Sequence, residues 1–267
     1  VLGWGGFWGW DPVEIAAFMP WLTGTAFLHS VMIQEKRGLL KHWNMILDIL
    51  TYALVIFGTF LPPTAVLSSV HAFANSPIGP LFMAFVSITF VTSIALLIWR
   101  WPNLRSETEM KSMLSREALF LLNNLLFMSV LVICFWGVIF PLVSELFTGQ
   151  KITVGPPFYE RATAPIFAGL MLLMGIAPLS AWGHSTIETL GRAMWKSALA
   201  AAIITGILFA TYTQNYIALI GFFLITLVLL VTVQEFWRAA RARQRAQGEN
   251  FLTSLARLMG RNRRRYG

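Results

Sequence analysis

The chain has 267 residues, 57% of them hydrophobic and 12% charged, with a mean hydropathy of +0.66. A soluble domain carries about 25% charged residues, so the composition excludes a water-soluble globule, and the formal charge of +8 reads as membrane topology rather than nucleic-acid binding. The single cysteine, Cys134, excludes an internal disulfide, a Cys-x-x-Cys metal site and a Cys-x-x-Cys-His haem attachment motif in the chain itself.

The sequence opens at Val1, with no signal peptide, inside its most distinctive segment. It therefore reads as an interior or C-terminal piece of a longer protein. Residues 4–14 are Trp-Gly-Gly-Phe-Trp-Gly-Trp-Asp-Pro-Val-Glu. An interfacial aromatic belt accounts for one or two tryptophans. Trp4, Trp8 and Trp10, interleaved with Gly5, Gly6 and Gly9, exceed that need. Glycine beside tryptophan removes the side chains that would keep a flat ligand away, so the segment suits a planar π-system such as a porphyrin. Asp11, Pro12 and Glu14 fit an N-cap, a first helical residue and a capping box. The same carboxylates also suit the edge of a ligand site or a tie between neighbouring loops.

Seven apolar stretches follow, at about 13–34, 44–62, 79–99, 118–143, 164–183, 198–214 and 216–236. Each is long enough for a hydrocarbon core that takes roughly 17–25 helical residues. The fold class is therefore all-α, a polytopic bundle of about seven membrane helices. Residues 1–14 form an external Trp-rich segment, and 15–236 the membrane domain with external loops 63–78 and 144–163. Residues 237–267 form an Arg-rich cytoplasmic tail. Pro20 should kink the first span, and Gln214-Asn215-Tyr216 leaves only a tight turn between the last two. Asn123 and Asn124, inside the fourth span, need partners across helices.

Of the 20 Lys and Arg residues, 18 fall on one side, in the connections after the first, third and fifth spans and in the tail. Only Lys151 and Arg161 fall on the other. The positive-inside rule places the N-terminus outside and the tail in the cytoplasm. That tail is either a topological anchor or an amphipathic helix on anionic lipid. No aromatic platform accompanies its arginines, so no nucleic-acid partner is expected.

The histidines separate by depth. His42 and His184 lie at the inner boundary, where solvation explains them. His29 lies 17 residues past Pro12, about 25 Å along a helix. An ionisable residue at that depth is costly and usually functional, and neutral imidazole is a good axial ligand for haem iron. Asp48 is a candidate acceptor for its ring N–H. His71 lies in an outer loop, on the side of the tryptophans. No catalytic acid, base or nucleophile stands out.

Beyond the residues themselves, the opening motif resembles the haem-handling proteins of cytochrome c maturation, and among them the CcmF-type haem lyase subunit. Phe18-Met19-Pro20-Trp21-Leu22, Leu28-His29-Ser30, Gly58-Thr59-Phe60-Leu61 and the run Val66 to Phe73 around His71 extend the likeness. So do Ser115-Arg116-Glu117 with Leu122-Asn123-Asn124, Val154-Gly155-Pro156-Pro157 and the terminal Asn262 to Gly267. The resemblance implies an external haem surface formed by Trp4, Gly5, Gly6, Trp8, Trp10 and Asp11, with His71 as an iron ligand. It implies a second, intramembrane haem b on His29. The second histidine of each haem has no counterpart in this sequence. The Arg that family members carry before the Leu-Ser-Ser-Val-His stretch is also missing, where Leu61-Pro62-Pro63-Thr64 stand instead.

The implied function is the final step of cytochrome c assembly in the bacterial inner membrane. Haem is the transferred substrate. The implied partners are an external haem chaperone, apocytochrome c, a subunit that handles the apocytochrome thiols, membrane lipid, and quinol as reductant. Haem export, a nitrite-reductase-specific haem lyase and a CcsA-type synthase are the alternatives.

Overall fold

The computed structural model describes residues 7–64, 78–106, 115–180 and 185–261. Among the described residues the elements are helices: α1 Pro12–Arg37, α2 Lys41–Thr64, α3 Ile78–Arg100, α4 Arg116–Thr148, α5 Pro156–Ile176, α6 Ile187–Thr211, α7 Tyr216–Gln247 and α8 Phe251–Arg261. Single 3-10 turns follow α3 and α5. The first seven are long and apolar enough to cross a membrane, and α8 is not. The fold is the expected all-α polytopic membrane bundle.

Several boundaries differ from the hydropathy reading. α5 begins at Pro156, because Pro156-Pro157 pre-sets the backbone of a first helical turn. The non-helical connection after α4 therefore shrinks to 149–155. α6 begins at Ile187, where the Thr186 side chain caps the amide of Thr189. Polar and basic residues there hide the first turns from a hydropathy window. α7 runs on to Gln247 and stops at Gly248, which takes the left-handed conformation at φ 65. The chain packs as two compact units, one of Val1–Met110 with Phe120–Phe167, the other of Lys111–Leu119 with Ala168–Gly267.

In the first unit, α1 is apolar on all sides, as expected where lipid covers what protein does not. Its buried face carries Ile15, Met19, Leu22, Ala26 and Ile33, spaced by whole turns. Pro20 lacks the N–H that would bond the carbonyl of Ala16. α2 closes on that point: a Cβ on Gly58 would lie 3.4 Å from the Ala16 oxygen. Two polar pairs fix the register of this contact, Thr51 Oγ1 donating to Thr23 Oγ1 at 2.8 Å and Asn44 Nδ2 to Gln34 Oε1 at 2.6 Å. Gly38 (φ 67) and Leu40 (φ 64) make the tight connection between the two helices.

In the second unit, α6 and α7 form the hairpin that the short turn implies. Asn215 caps α7 by accepting from the amides of Ile217 and Ala218. Ala201, Leu227 and Val231 form its buried centre. Ser197 donates to Gln234 Oε1 at 3.0 Å, and Gln234 Nε2 donates to the Ala193 carbonyl at 2.8 Å. Arg116 donates to the carbonyls of Ser180 and Pro178, satisfying the chain where α5 ends.

Candidate functional site

The N-terminus of α1 is built by its own sequence. Asp11 caps the helix, accepting from the Val13 amide at 2.9 Å, and Glu14 completes the capping box. The Glu14 carboxylate also accepts from the amides of Asp11 at 3.1 Å and Gly9 at 2.9 Å. The capping reading of these carboxylates therefore holds, and Glu14 in addition ties the tryptophan segment to the helix.

Of the residues expected to form the external surface, Trp8, Trp10 and Asp11 are described. Trp4, Gly5, Gly6 and His71 lie outside the described residues. Trp8 and Trp10 meet edge to face, with ring centroids 5.6 Å apart. Their surroundings differ. Trp8 is 39% exposed and leans its edge on Phe18 at 5.7 Å. Trp10 adopts a left-handed backbone at φ 55. It lies parallel to Tyr159 of α5, with centroids 5.1 Å apart and planes within 4°.

Sequence reasoning named neither Tyr159 nor Gly137. Tyr159 is 1% exposed and fits because Gly137 of α4 has no side chain. A Cβ on Gly137 would sit 2.2 Å from the phenolic oxygen. The only local hints were the Pro156-Pro157 helix start and a glycine inside an apolar span.

Further along α1, His29 is half-buried. Its expected acceptor, Asp48, is exposed on α2, and the ring instead meets Asn123 of α4, Nδ2 to Nδ1, at 3.3 Å. The neighbouring Asn124 bonds the Ser30 hydroxyl. The two asparagines thus serve as the interhelical partners their depth demands. Phe127 stacks near His29 at 6.3 Å and Phe120 packs at 5.4 Å. An unbroken aromatic series, Trp10, Trp8, Phe18, Trp21, Phe127, joins the opening segment to His29. His42 is held at the Trp101 carbonyl, 2.9 Å away. His184 lies outside the described residues.

Fold and site together define a polytopic helical membrane protein with an aromatic surface at the mouth of one helix and an imidazole deep along it. Residues 1–64 match the family model described as cytochrome C assembly protein. A cytochrome c-type biogenesis protein of Rhodobacter capsulatus is 37% identical over 90% of this chain and 37% of its own length. The CcmF protein of Pseudomonas aeruginosa is 36% identical over 94% of this chain and 38% of its own. A solved structure titled cytochrome c heme lyase CcmF superposes with a TM-score of 0.66 at 31% identity, covering 92% of this chain and 36% of that one. Along nearly its whole length the chain is similar to CcmF-type cytochrome c biogenesis proteins, and it spans somewhat over a third of the length of these relatives.

The chemistry at His29 fits an axial ligand to haem iron. Ligation through Nε2 requires the ring proton on Nδ1, and an amide oxygen is a suitable acceptor there. The Thr25 backbone, one turn back on α1, hydrogen-bonds the ring, and the Asn123 amide lies beside Nδ1, where its oxygen could serve as acceptor after a half-turn of the near-isosteric amide. The flanking phenyl rings keep the surroundings of the half-buried imidazole apolar.

Proposed function

We propose that this chain is the haem-presenting part of a cytochrome c haem lyase in the bacterial inner membrane. The Trp-rich segment and His71 face the periplasm, and the tail faces the cytoplasm. The observation that carries this reading is that one helix, α1, bears both stations. Trp8 and Trp10 stand at its capped N-terminus, and His29 lies eighteen residues beyond Asp11, about 27 Å away.

Haem arrives from a chaperone and rests against the tryptophan surface, with His71 on iron. Its vinyl groups face the Cys-x-x-Cys-His thiols of an apocytochrome delivered by a thiol-handling subunit. Each cysteine S–H adds across one vinyl C=C. A C–S bond forms, the π bond is consumed, and the proton ends on the adjacent carbon. The addition is redox-neutral and asks the protein for orientation more than for an acid or base. His29 would hold a resident haem b, and when bound that group would supply the one-electron chemistry needed to keep the substrate iron ferrous, with quinol as the electron source.

The test uses the full-length protein. His29→Ala should abolish the b-type spectrum of the purified protein without loss of membrane insertion. His71→Ala should stop cytochrome c maturation while the haem-loaded chaperone still accumulates. A starved chaperone in the second variant means haem export, and an unchanged spectrum in the first removes His29 as the ligand.

A further inference from the structure

Trp10 is a bulky residue at φ 55, a conformation that persists only where the surroundings over-determine it. Three observations show what holds it. Its ring lies flat against Tyr159, a side chain 1% exposed on α5. The Tyr159 ring in turn fills the space left by Gly137 on α4, so closely that a Cβ there would fall 2.2 to 2.6 Å from its phenolic oxygen and two ring carbons. On the other side, Glu14 grips the backbone at Gly9 and Asp11, the residues flanking Trp10. Among the described residues no ring lies flat against Trp8 as Tyr159 does against Trp10. Trp8 touches Trp10 and Phe18 only by edge contacts and is the more open ring of the two.

We propose that Tyr159 is the positioning residue of the tryptophan surface. The stack from Gly137 through Tyr159 to Trp10 is a rigid pillar, and Trp8 is the ring it presents to the flat tetrapyrrole. One face of Trp10 is spent on Tyr159, so Trp10 orients and Trp8 binds. This rests on the reading of the segment as a haem surface, and the two fail in distinguishable ways.

The test is haemin titration of the purified full-length protein, followed by absorbance and by quenching of tryptophan fluorescence, with helicity and monodisperse elution checked for each variant. Tyr159→Phe keeps the stack and should keep the haemin affinity. Tyr159→Leu removes the aromatic face and should weaken haemin about three- to tenfold, the equivalent of one aromatic pair. Where Tyr159→Leu folds poorly, Tyr159→Met reads the same loss. Gly137→Ala should weaken haemin in the natural background and have no further effect in Tyr159→Leu, because the clash it creates is with the ring that Leu removes. Additive losses overturn the pillar. So does an unchanged affinity in Tyr159→Leu alongside a weakened one in Trp8→Ala. If Trp8→Ala itself leaves haemin binding unchanged, the haem-surface reading fails with it.

Discussion

The two adjacent asparagines of α4 meet two adjacent residues of α1 and do different work. Asn124 is fully buried against Ser30 and joins the helices, a bond that contributes about 0.6–2 kcal/mol inside a membrane. Asn123 reaches the imidazole, so under the proposed role of His29 as a haem ligand its effect would fall on that ligand. Losing a partner of this kind typically costs 10–100-fold in metal affinity. Asn123→Leu should therefore lower the haem retained per protein by about that factor and shift the low-spin electron-paramagnetic signal and the midpoint potential. Asn124→Ala should lower thermal stability and leave the spectrum alone. Equal spectra in both variants mean that Asn123 is only another interhelical tie. The position of His29 far along the first span was legible in the sequence. Its partner was not, because sequence gives the depth of a residue but not the rotation of its helix. Asp48 lay at the right depth and on the wrong face.

At the scale of elements, boundaries followed local chemistry wherever a cap or proline announced them, as at Asp11, Pro156 and Asn215. They were hidden where a helix runs past the apolar core into charged residues. The end of α7 is such a place. Its 32 residues are about 48 Å long, well beyond a hydrocarbon core of about 30 Å. After the Gly248 turn the chain folds back, so that Phe251 at the start of α8 rests on Trp237 at 4.9 Å. Arg241 covers both rings. On α8, Ser254 and Leu258 are buried, Leu252 and Met259 form an exposed apolar stripe, and Arg257 and Arg261 lie on another face.

Glu249 locks this return. Its carboxylate takes Arg243 at 3.4 Å and also Arg257. Partial burial by itself pushes its pKa up. The hydrogen bonds and charges of the two arginines outweigh that and hold it below the ordinary 4.5. A carboxyl depressed in this way stabilises the fold above its ordinary pKa, and the contribution is lost as pH falls through the lowered one. Protection factors of the amides in 251–261, taken against the intrinsic exchange rate at each pH, should therefore be high at neutral pH and fall below pH 4.5. Glu249→Gln should show the acid behaviour at neutral pH. Protection unchanged by the variant would leave the turn and the Trp237 contact as the only restraints.

At the scale of the whole molecule, the seven spans and the all-α class were legible because lipid selects for apolar length, a property of composition alone. The pillar beneath Trp10 was not, because residues 10, 137 and 159 meet only through the packing of three helices. Sidedness rests on the distribution of Lys and Arg, 18 against 2, and every part of the proposed function depends on it. The refined boundaries say where to test it. A reporter after His71 lies between α2 and α3, one after Gln150 lies in the short connection before α5, and both should read periplasmic. Reporters after Met110 and after Glu249 should read cytoplasmic. The Gln150 position is the sharpest discriminator. Its connection holds Lys151, one of the two basic residues expected on the outer side, paired there with Glu145 at 3.8 Å, so local charge gives little guidance and the helix count decides. A cytoplasmic reading at Gln150 with a periplasmic one at His71 would mean that α3 or α4 does not span. A cytoplasmic reading at His71 would place the tryptophan surface on the side where apocytochrome thiols never arrive, and the haem-lyase reading would have to be abandoned.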